Sequence, residues 1–395
     1  MTATTVAFEP LSAERWREPF SMYRELREHD PVHHVVDGDY WVLSRFEDVY
    51  DAARDTATFS SAQGLTFTYD EREKMGIDFA PIVMMDPPEH TDFRRLVGKG
   101  FTPRRVSEIE PAIRDFVAGR LDRLVDAGGG DIVAELFKPL PSFVVAHYLG
   151  VPDADRERFD AWTDAIVAHN AAGDIFAAQE AIGELIEYFT YLIELRKAEP
   201  ADDMTSLLVE AAEEGDTDVL AILGFAFTMV TGGNDTTTGL LGGSAELLTR
   251  NPSQRRRLLD DPALLPNAVE ELLRLTSPVQ GLARTTTLDV TIGDETIPAG
   301  RKVLLLYAAA NRDAREFGPD AEELDIGREI DRIMSFTYGA HHCLGAAAAR
   351  LQGRVALGEL LARCPNFAVD HEAGKFAPGH YVRRYENLPF VAEAS

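Results

Sequence analysis

Between residues 89 and about 275, apolar side chains recur at the three- and four-residue spacing of a helix face. The pattern breaks at Gly128-Gly129-Gly130, at Gly150-Val151-Pro152 and across the polar stretch 198–203. This spacing predicts a helical body. Ahead of it, Pro19 to Glu28 carries a shorter helical pattern. Val32–Val36 and Tyr40–Leu43 then flank Asp37-Gly38, which predicts a hairpin with its positive-φ turn at that pair. Residues 55–88 have little periodicity and many turn formers, the mark of a long functional loop. Strand-like patterns return at Asp289–Ile292 and Val303–Tyr307, with turns at Gly293 and Pro298-Ala299-Gly300. A helix from Gly345 to about Arg363 follows, closed by Cys364-Pro365, and short strand-like pieces end the chain. The fold class is therefore mainly α with a small β portion. Strands and helices do not alternate, which argues against a doubly wound parallel sheet.

Composition narrows the classes. With 395 residues, 45% of them hydrophobic, the chain has the material for a large core, and no linker-like stretch divides it. A single domain over 1–395 is expected, with a β-containing part at about 1–60 and the helical body at about 89–275. Asp and Glu number 66 against 39 Lys and Arg, a net charge of −27 that repels nucleic acid and anionic lipid. No signal-peptide pattern or long uninterrupted apolar run occurs, so a cytoplasmic monomer without a membrane partner is expected. The two cysteines, Cys343 and Cys364, exclude a disulfide framework and a four-thiolate iron–sulfur cluster. No Gly-rich dinucleotide or phosphate motif is present. Cys364, at the end of the last long helix, reads as a packed thiol.

Four local patterns carry candidate chemistry. Phe336-Thr337-Tyr338-Gly339-Ala340-His341-His342-Cys343-Leu344-Gly345 sets Cys343 at the start of a helix, where the macrodipole and free N–H groups favour a thiolate. Gly339 and Gly345 carry no Cβ and would admit a flat cofactor closely. A structural cysteine, a zinc site with His341 and His342, and a haem ligand all fit these residues, although three consecutive residues converge poorly on one tetrahedral ion. The long apolar segment Asp218–Arg250 holds Gly232-Gly233-Asn234-Asp235-Thr236-Thr237 at its centre. Two helical glycines cost about 1 kcal/mol each relative to alanine. Either a close helix crossing or a local distortion that opens room for a small ligand would offset that, with Asp235 and Thr236 as a proton relay in the second case. Glu271 and Arg274 stand three apart on one helix face, a spacing that permits an ion pair. His90 and Arg94 share a helix face at i, i+4.

Phe-x-x-Gly-x-His-x-Cys-x-Gly at 336–345 resembles the haem-binding loop of the cytochrome P450 family. The other three patterns match that family in order and spacing, which extends the resemblance from about residue 15 to 392. It implies the family's single triangular, mainly helical domain and a haem-thiolate monooxygenase. In the family's pattern Cys343 is the thiolate ligand of haem b iron, Phe336 packs beside its sulfur, and Asp235 and Thr236 deliver protons to dioxygen. Glu271 and Arg274 would brace the region behind the haem, with Arg328 as a substitute third partner where Glu322-Glu323 stands. His90, Arg94, Arg284 and His341 would form a shell around the haem propionates. Matching positions give Leu65, Phe67, Thr228, Thr231, Gly232, Val279, Leu282, Tyr381 and Val382 as substrate contacts, mostly apolar, and so a small to medium hydrophobic substrate to be hydroxylated. With no flavin or nicotinamide signature, electrons are expected from a separate ferredoxin and its reductase, docked by the basic cluster Arg94, Arg95, Lys99, Arg104 and Arg105. A haem-thiolate peroxygenase or isomerase is one alternative, disfavoured by the intact Asp235-Thr236 pair. A non-catalytic haem sensor is another, disfavoured by the lack of an output module.

Overall fold

The computed structural model describes residues 6–75, 80–172 and 178–393. One contiguous apolar core runs from Trp16 through the helical body to Ala392. A satellite cluster of Tyr23, Leu26, Tyr40, Val42, Leu304 and Leu306 lies over the N-terminal sheet. The axis of the molecule is a helix of 32 residues, Val219–Arg250, with most of its side chains buried. It packs against the helices Pro139–Leu149, Arg156–Ala172, Leu265–Thr276 and Ala346–Arg363. A helix buried on nearly every side must be apolar nearly all round, as this sequence is. Among the described residues, no helix is long and apolar enough to cross a membrane.

Asp218 sets the start of the central helix. Its backbone is extended and its carboxylate accepts the Ala221 N–H at 2.8 Å, satisfying one of the free donors of the first turn. Asp218→Ala should lower stability by about 1 kcal/mol, read as a shift of the denaturant midpoint at unchanged slope. A change of only a few tenths would mean that tertiary packing alone fixes this end.

The β portion is a five-stranded sheet in the order Val32–Val35, Tyr40–Leu43, Lys302–Leu305, Leu282–Thr286, Phe59–Ser60. The predicted hairpin is present, with Val32 opposite Leu43, but its turn differs from expectation. Val36–Gly38 form a single 3-10 turn, and the left-handed residue is Asp39 (φ 49°), while Gly38 keeps an ordinary conformation. The connection is thus longer than a two-residue turn, which moves the positive φ past the glycine. Tyr40–Leu43 pairs in parallel with Lys302–Leu305, a long-range contact that local pattern does not carry. The glycine run also departs from a plain break: Gly129–Asp131 forms a strand against Pro389–Val391. Part of the long 55–88 segment is structured as well, with the strand Phe59–Ser60 and the helix Glu71–Met75.

Candidate active site

The loop before the last long helix is folded around its own backbone. The Cys343 N–H donates to the Phe336 carbonyl at 2.9 Å, and the helix proper begins at Ala346 with Gly345 at its cap. Gly339 adopts φ +74°, and a Cβ there would lie 3.0 Å from Arg54 Cα. The glycine is thus required by its positive φ and by the close approach of the neighbouring helix Phe46–Arg54. A Cβ on Gly345 would meet nothing within 4 Å, so the cap does present open backbone. The Cys343 side chain is enclosed by protein yet has accessible surface, as expected of a group facing an internal chamber. Burial pushes the thiol upward, while the Gly345 backbone, Arg94 and Arg350 pull it down; burial prevails. Arg350, which the motif did not single out, lies 4.6 Å over the Phe336 ring and is tied to Glu270 at 2.6 Å.

The middle of the central helix also carries groups with accessible surface inside the molecule. In a helix whose other exposed residues lie at its two ends, Gly232 is exposed and Thr228, Thr231 and Thr236 are partly so. A Cβ on Gly232 would meet nothing within 4 Å, whereas one on Gly233 would strike Val145 at 2.8 Å. The two glycines therefore do different things, one opening the chamber and the other admitting a neighbouring helix. The helix is unbroken here: Thr236 Oγ1 donates to the Gly232 carbonyl at 3.0 Å. The expected local distortion is thus absent as a break in the ladder, because a missing side chain already makes the room. Thr228 and Thr231 also return their hydroxyls to carbonyls one turn back, Gly224 at 2.8 Å and Phe227 at 2.9 Å. Asp235 is buried and contacts the guanidinium of Arg384. Burial raises its carboxyl to about 6 against the opposing pull of Arg384 and Lys138.

At the rim, His90 and Arg94 share one face of the helix Glu89–Val97. The Arg94 guanidinium contacts the His342 carbonyl, and the rings of His90 and His341 lie 4.2 Å apart. Arg284 is buried and near enough to help depress His341, which burial first and then Arg284, His90 and Arg94 drive down to about 2. Among the described residues, the partners of Arg94, Arg284 and His341 are the His342 carbonyl, the Ala283 carbonyl and the Ser61 hydroxyl, none of them a carboxylate, and the buried Nδ1 of His90 has no hydrogen-bond partner. Asp86, which does act on His90, is itself bound to Ser60 at 2.5 Å and Ser61 at 2.9 Å. Ser61, missed by sequence reasoning, also bonds His341 Nε2 at 3.1 Å, so His341 has less bonding capacity to spare than the resemblance implied. With both histidines held neutral by burial, the charges here are those of Arg94 and Arg284, and burying a guanidinium without a counter-ion is costly. A planar group bearing two carboxylates, set between Cys343 and the Gly232 face, would supply their partners, so the residues present fit a haem.

The expected substrate contacts gather from three segments. Val279 bridges Val382, Gln280 N–H donates to the Tyr381 carbonyl at 2.7 Å, and Ala283 N–H, beside Leu282, donates to the Leu65 carbonyl at 2.6 Å. Phe67 stands apart: its ring stacks on Tyr40 at 4.9 Å and belongs to the satellite cluster. The basic cluster is largely neutralised. Arg95 pairs with Asp92, Arg104 with Glu108 and Arg105 with Asp202, while Arg94 turns inward. Acidic neighbours thus lie in ion-pair reach of three of its arginines.

Behind the cysteine loop, Glu271 and Arg274 are wholly buried and joined by two bonds of 2.7 Å. Arg328 Nε completes the network on Glu271 at 3.2 Å, in the role the sequence left to it. Cys364 is buried in the core as expected.

A thiol at a helix start, a rim of arginine and histidine side chains and a small-residue face on a central helix are what a haem-thiolate oxygenase site requires. The chain is 62% identical over 393 residues to Cytochrome P450 130 of Mycobacterium tuberculosis, covering 97% of each. It is 39% identical over 375 residues to the vitamin D(3) 25-hydroxylase of Pseudonocardia autotrophica, covering 93% of this chain and 92% of that one. The family model Cytochrome P450 matches residues 249–375. The structure of CYP109E1 from Bacillus megaterium in complex with testosterone aligns with TM-score 0.85 at 32% identity, over 95% of this chain and 100% of that one. The protein belongs to the cytochrome P450 family and is a haem-dependent monooxygenase.

Proposed function

We propose that this protein hydroxylates a small to medium hydrophobic molecule, with Cys343 as the thiolate ligand of haem b. The observation that carries this reading is the set of buried His90 and Arg284 with half-buried Arg94 and His341, without carboxylate partners among the described residues, near enough to Cys343 for Arg94 to act on its thiol. Arg94 and Arg284 with His90 would hold the propionates through charge-assisted hydrogen bonds. Non-covalent haem b is favoured because the two cysteines stand too far apart for a c-type attachment motif. When bound, the haem activates dioxygen, and its thiolate favours O–O cleavage. The chain's own part is to orient substrate and to deliver protons through Asp235 and Thr236.

Leu65, Val279, Leu282, Tyr381 and Val382 would contact the substrate, with Thr228, Thr231 and Gly232 above the haem. The threonine hydroxyls are spent on the helix, which makes this wall less polar than its composition suggests. An apolar wall of this kind selects by shape. Relatives named for vitamin D(3) and solved with testosterone favour a compound of sterol size. Electrons would come from a ferredoxin and its reductase, and the single chain would act as one catalytic unit in the cytoplasm.

The test is the carbon monoxide difference spectrum of the reduced protein, for wild type and Cys343→Ser. A strongly red-shifted Soret band in wild type, lost in the variant, is the expected result. Haem uptake without that band in wild type would overturn the assignment.

A further inference from the structure

The segment that carries Tyr381 and Val382 is held from two sides. On one side it pairs with the stretch after the helix Leu265–Thr276: Arg383 N–H donates to the Pro278 carbonyl at 2.8 Å, and Val279 bridges Val382. On the other it is gripped by the segment Ser12–Arg17, a 3-10 turn with Ser12 at its cap. Both backbone groups of Gly379 are taken up there. Its N–H donates to Ser12 Oγ at 2.8 Å, and its carbonyl accepts the Trp16 indole N–H at 3.0 Å. Past Val382, Arg383 Nε donates to the Trp16 carbonyl at 2.7 Å. The strap thus brackets Tyr381 and Val382, with one bonded residue before them and one after. Arg17 extends the grip, donating to the Gly374 carbonyl at 2.8 Å and stacking 5.5 Å over Phe376.

The strap itself is tightly determined. Trp16 is wholly buried. Ala13 is held at φ 48°, a left-handed conformation that alanine keeps only where its surroundings impose it. A small cavity lies between strap and wall, lined by Phe8, Leu11, Trp16, Tyr23, Gln280 and His380. Gln280 N–H donates to the Tyr381 carbonyl, so the substrate wall has space behind it on the strap side.

We propose that Ser12–Arg17 is a specificity-determining element of the oxygenase, with Ser12 and Trp16 as positioning residues that hold Tyr381 and Val382 against the substrate. The inference rests on the substrate contacts proposed above and adds two residues that touch no substrate themselves. Released from Ser12 and Trp16, Gly379 and the residues after it recede toward the cavity, and the chamber widens at Tyr381.

Trp16→Phe keeps a buried ring and removes the bond to the Gly379 carbonyl, while Ser12→Ala removes the acceptor of the Gly379 N–H. Each holoenzyme is titrated spectrally with imidazole and with a biphenyl-substituted imidazole, which ligate haem iron through nitrogen and need no knowledge of the natural substrate. Imidazole, too small to press on the wall, should keep its dissociation constant. The biphenyl compound should bind more tightly relative to it, the ratio of the two constants moving by about threefold to tenfold, the range of one lost hydrogen bond. Amide hydrogen exchange in a peptide spanning 377–384 should rise in both variants. If Trp16→Phe does not fold, Ser12→Ala, at a half-buried position, carries the test. An unmoved ratio, or one moved in favour of imidazole, overturns the proposal even where stability falls, because a merely structural strap would cost stability without changing selection. Unmoved exchange overturns it as well. Failure of the haem-thiolate reading shows itself separately, in the carbon monoxide spectrum of wild type.

Discussion

Arg274→Ala is expected to destabilise the protein by about 3–5 kcal/mol, the cost of breaking a buried ion pair. The magnitude follows from what the side chain holds. Its guanidinium makes both bonds to Glu271 and also donates to the carbonyls of Asn311 at 2.7 Å and Ala321 at 2.6 Å, while stacking 4.8 Å over Phe317. Truncation leaves two carbonyls without their donors and a wholly buried carboxylate that keeps only the Asp325 N–H at 3.1 Å and Arg328. Arg328 would remain on Glu271, but through a single bond of 3.2 Å, and its other donors are committed to Phe317 and Asp320. Arg274→Lys should rescue little, since an ammonium cannot reproduce the planar fork. Arg328→Ala, which removes the weaker bond, should cost clearly less than Arg274→Ala. Chemical denaturation of the three variants checks the order. Equal losses for Arg274→Ala and Arg328→Ala would show that Glu271, rather than the arginine fork, organises this region.

That network illustrates what the sequence carries and what it does not. Glu271 and Arg274 are legible because helical spacing alone puts them on one face. Arg328 is legible only as a spare cation in the right stretch, because its partner is reached through the fold. The central helix could be read nearly to the residue, since an N-cap aspartate and a long apolar run both encode local structure. Its two glycines could not be told apart, because one faces a chamber and the other faces Val145, and neither surrounding is local. The hairpin was legible, but the position of its left-handed residue was not. Turn geometry depends on how the strands pair, and one of these also pairs in parallel with Lys302–Leu305. Ser61 and Arg384 had no signal at all. Each acquires its role from a contact with a residue far away in the chain.

Thr236→Ala should leave haem binding intact and divert most reducing equivalents from product to hydrogen peroxide. The hydroxyl sits on the open face of the central helix, next to the residue that Arg384 holds, and it can both donate and accept. In the resting structure it donates to the Gly232 carbonyl, a carbonyl on the same open turn, so its lone pairs stay free to accept. Alanine keeps the helix, with if anything a better propensity, and removes only the relay atom. A loss of coupling without loss of stability therefore separates proton delivery from folding. Thr236→Ser, which restores the hydroxyl, should recover coupling in large part. The measurement is peroxide formed per electron pair consumed, with a surrogate ferredoxin system supplying electrons and Thr237→Ala as a neighbouring control. Thr237 is buried away from the chamber, so its effect belongs to stability and not to coupling. If Thr236→Ala and wild type release the same share of peroxide, the protons reach dioxygen by another route, and Asp235 would have to act without its neighbour.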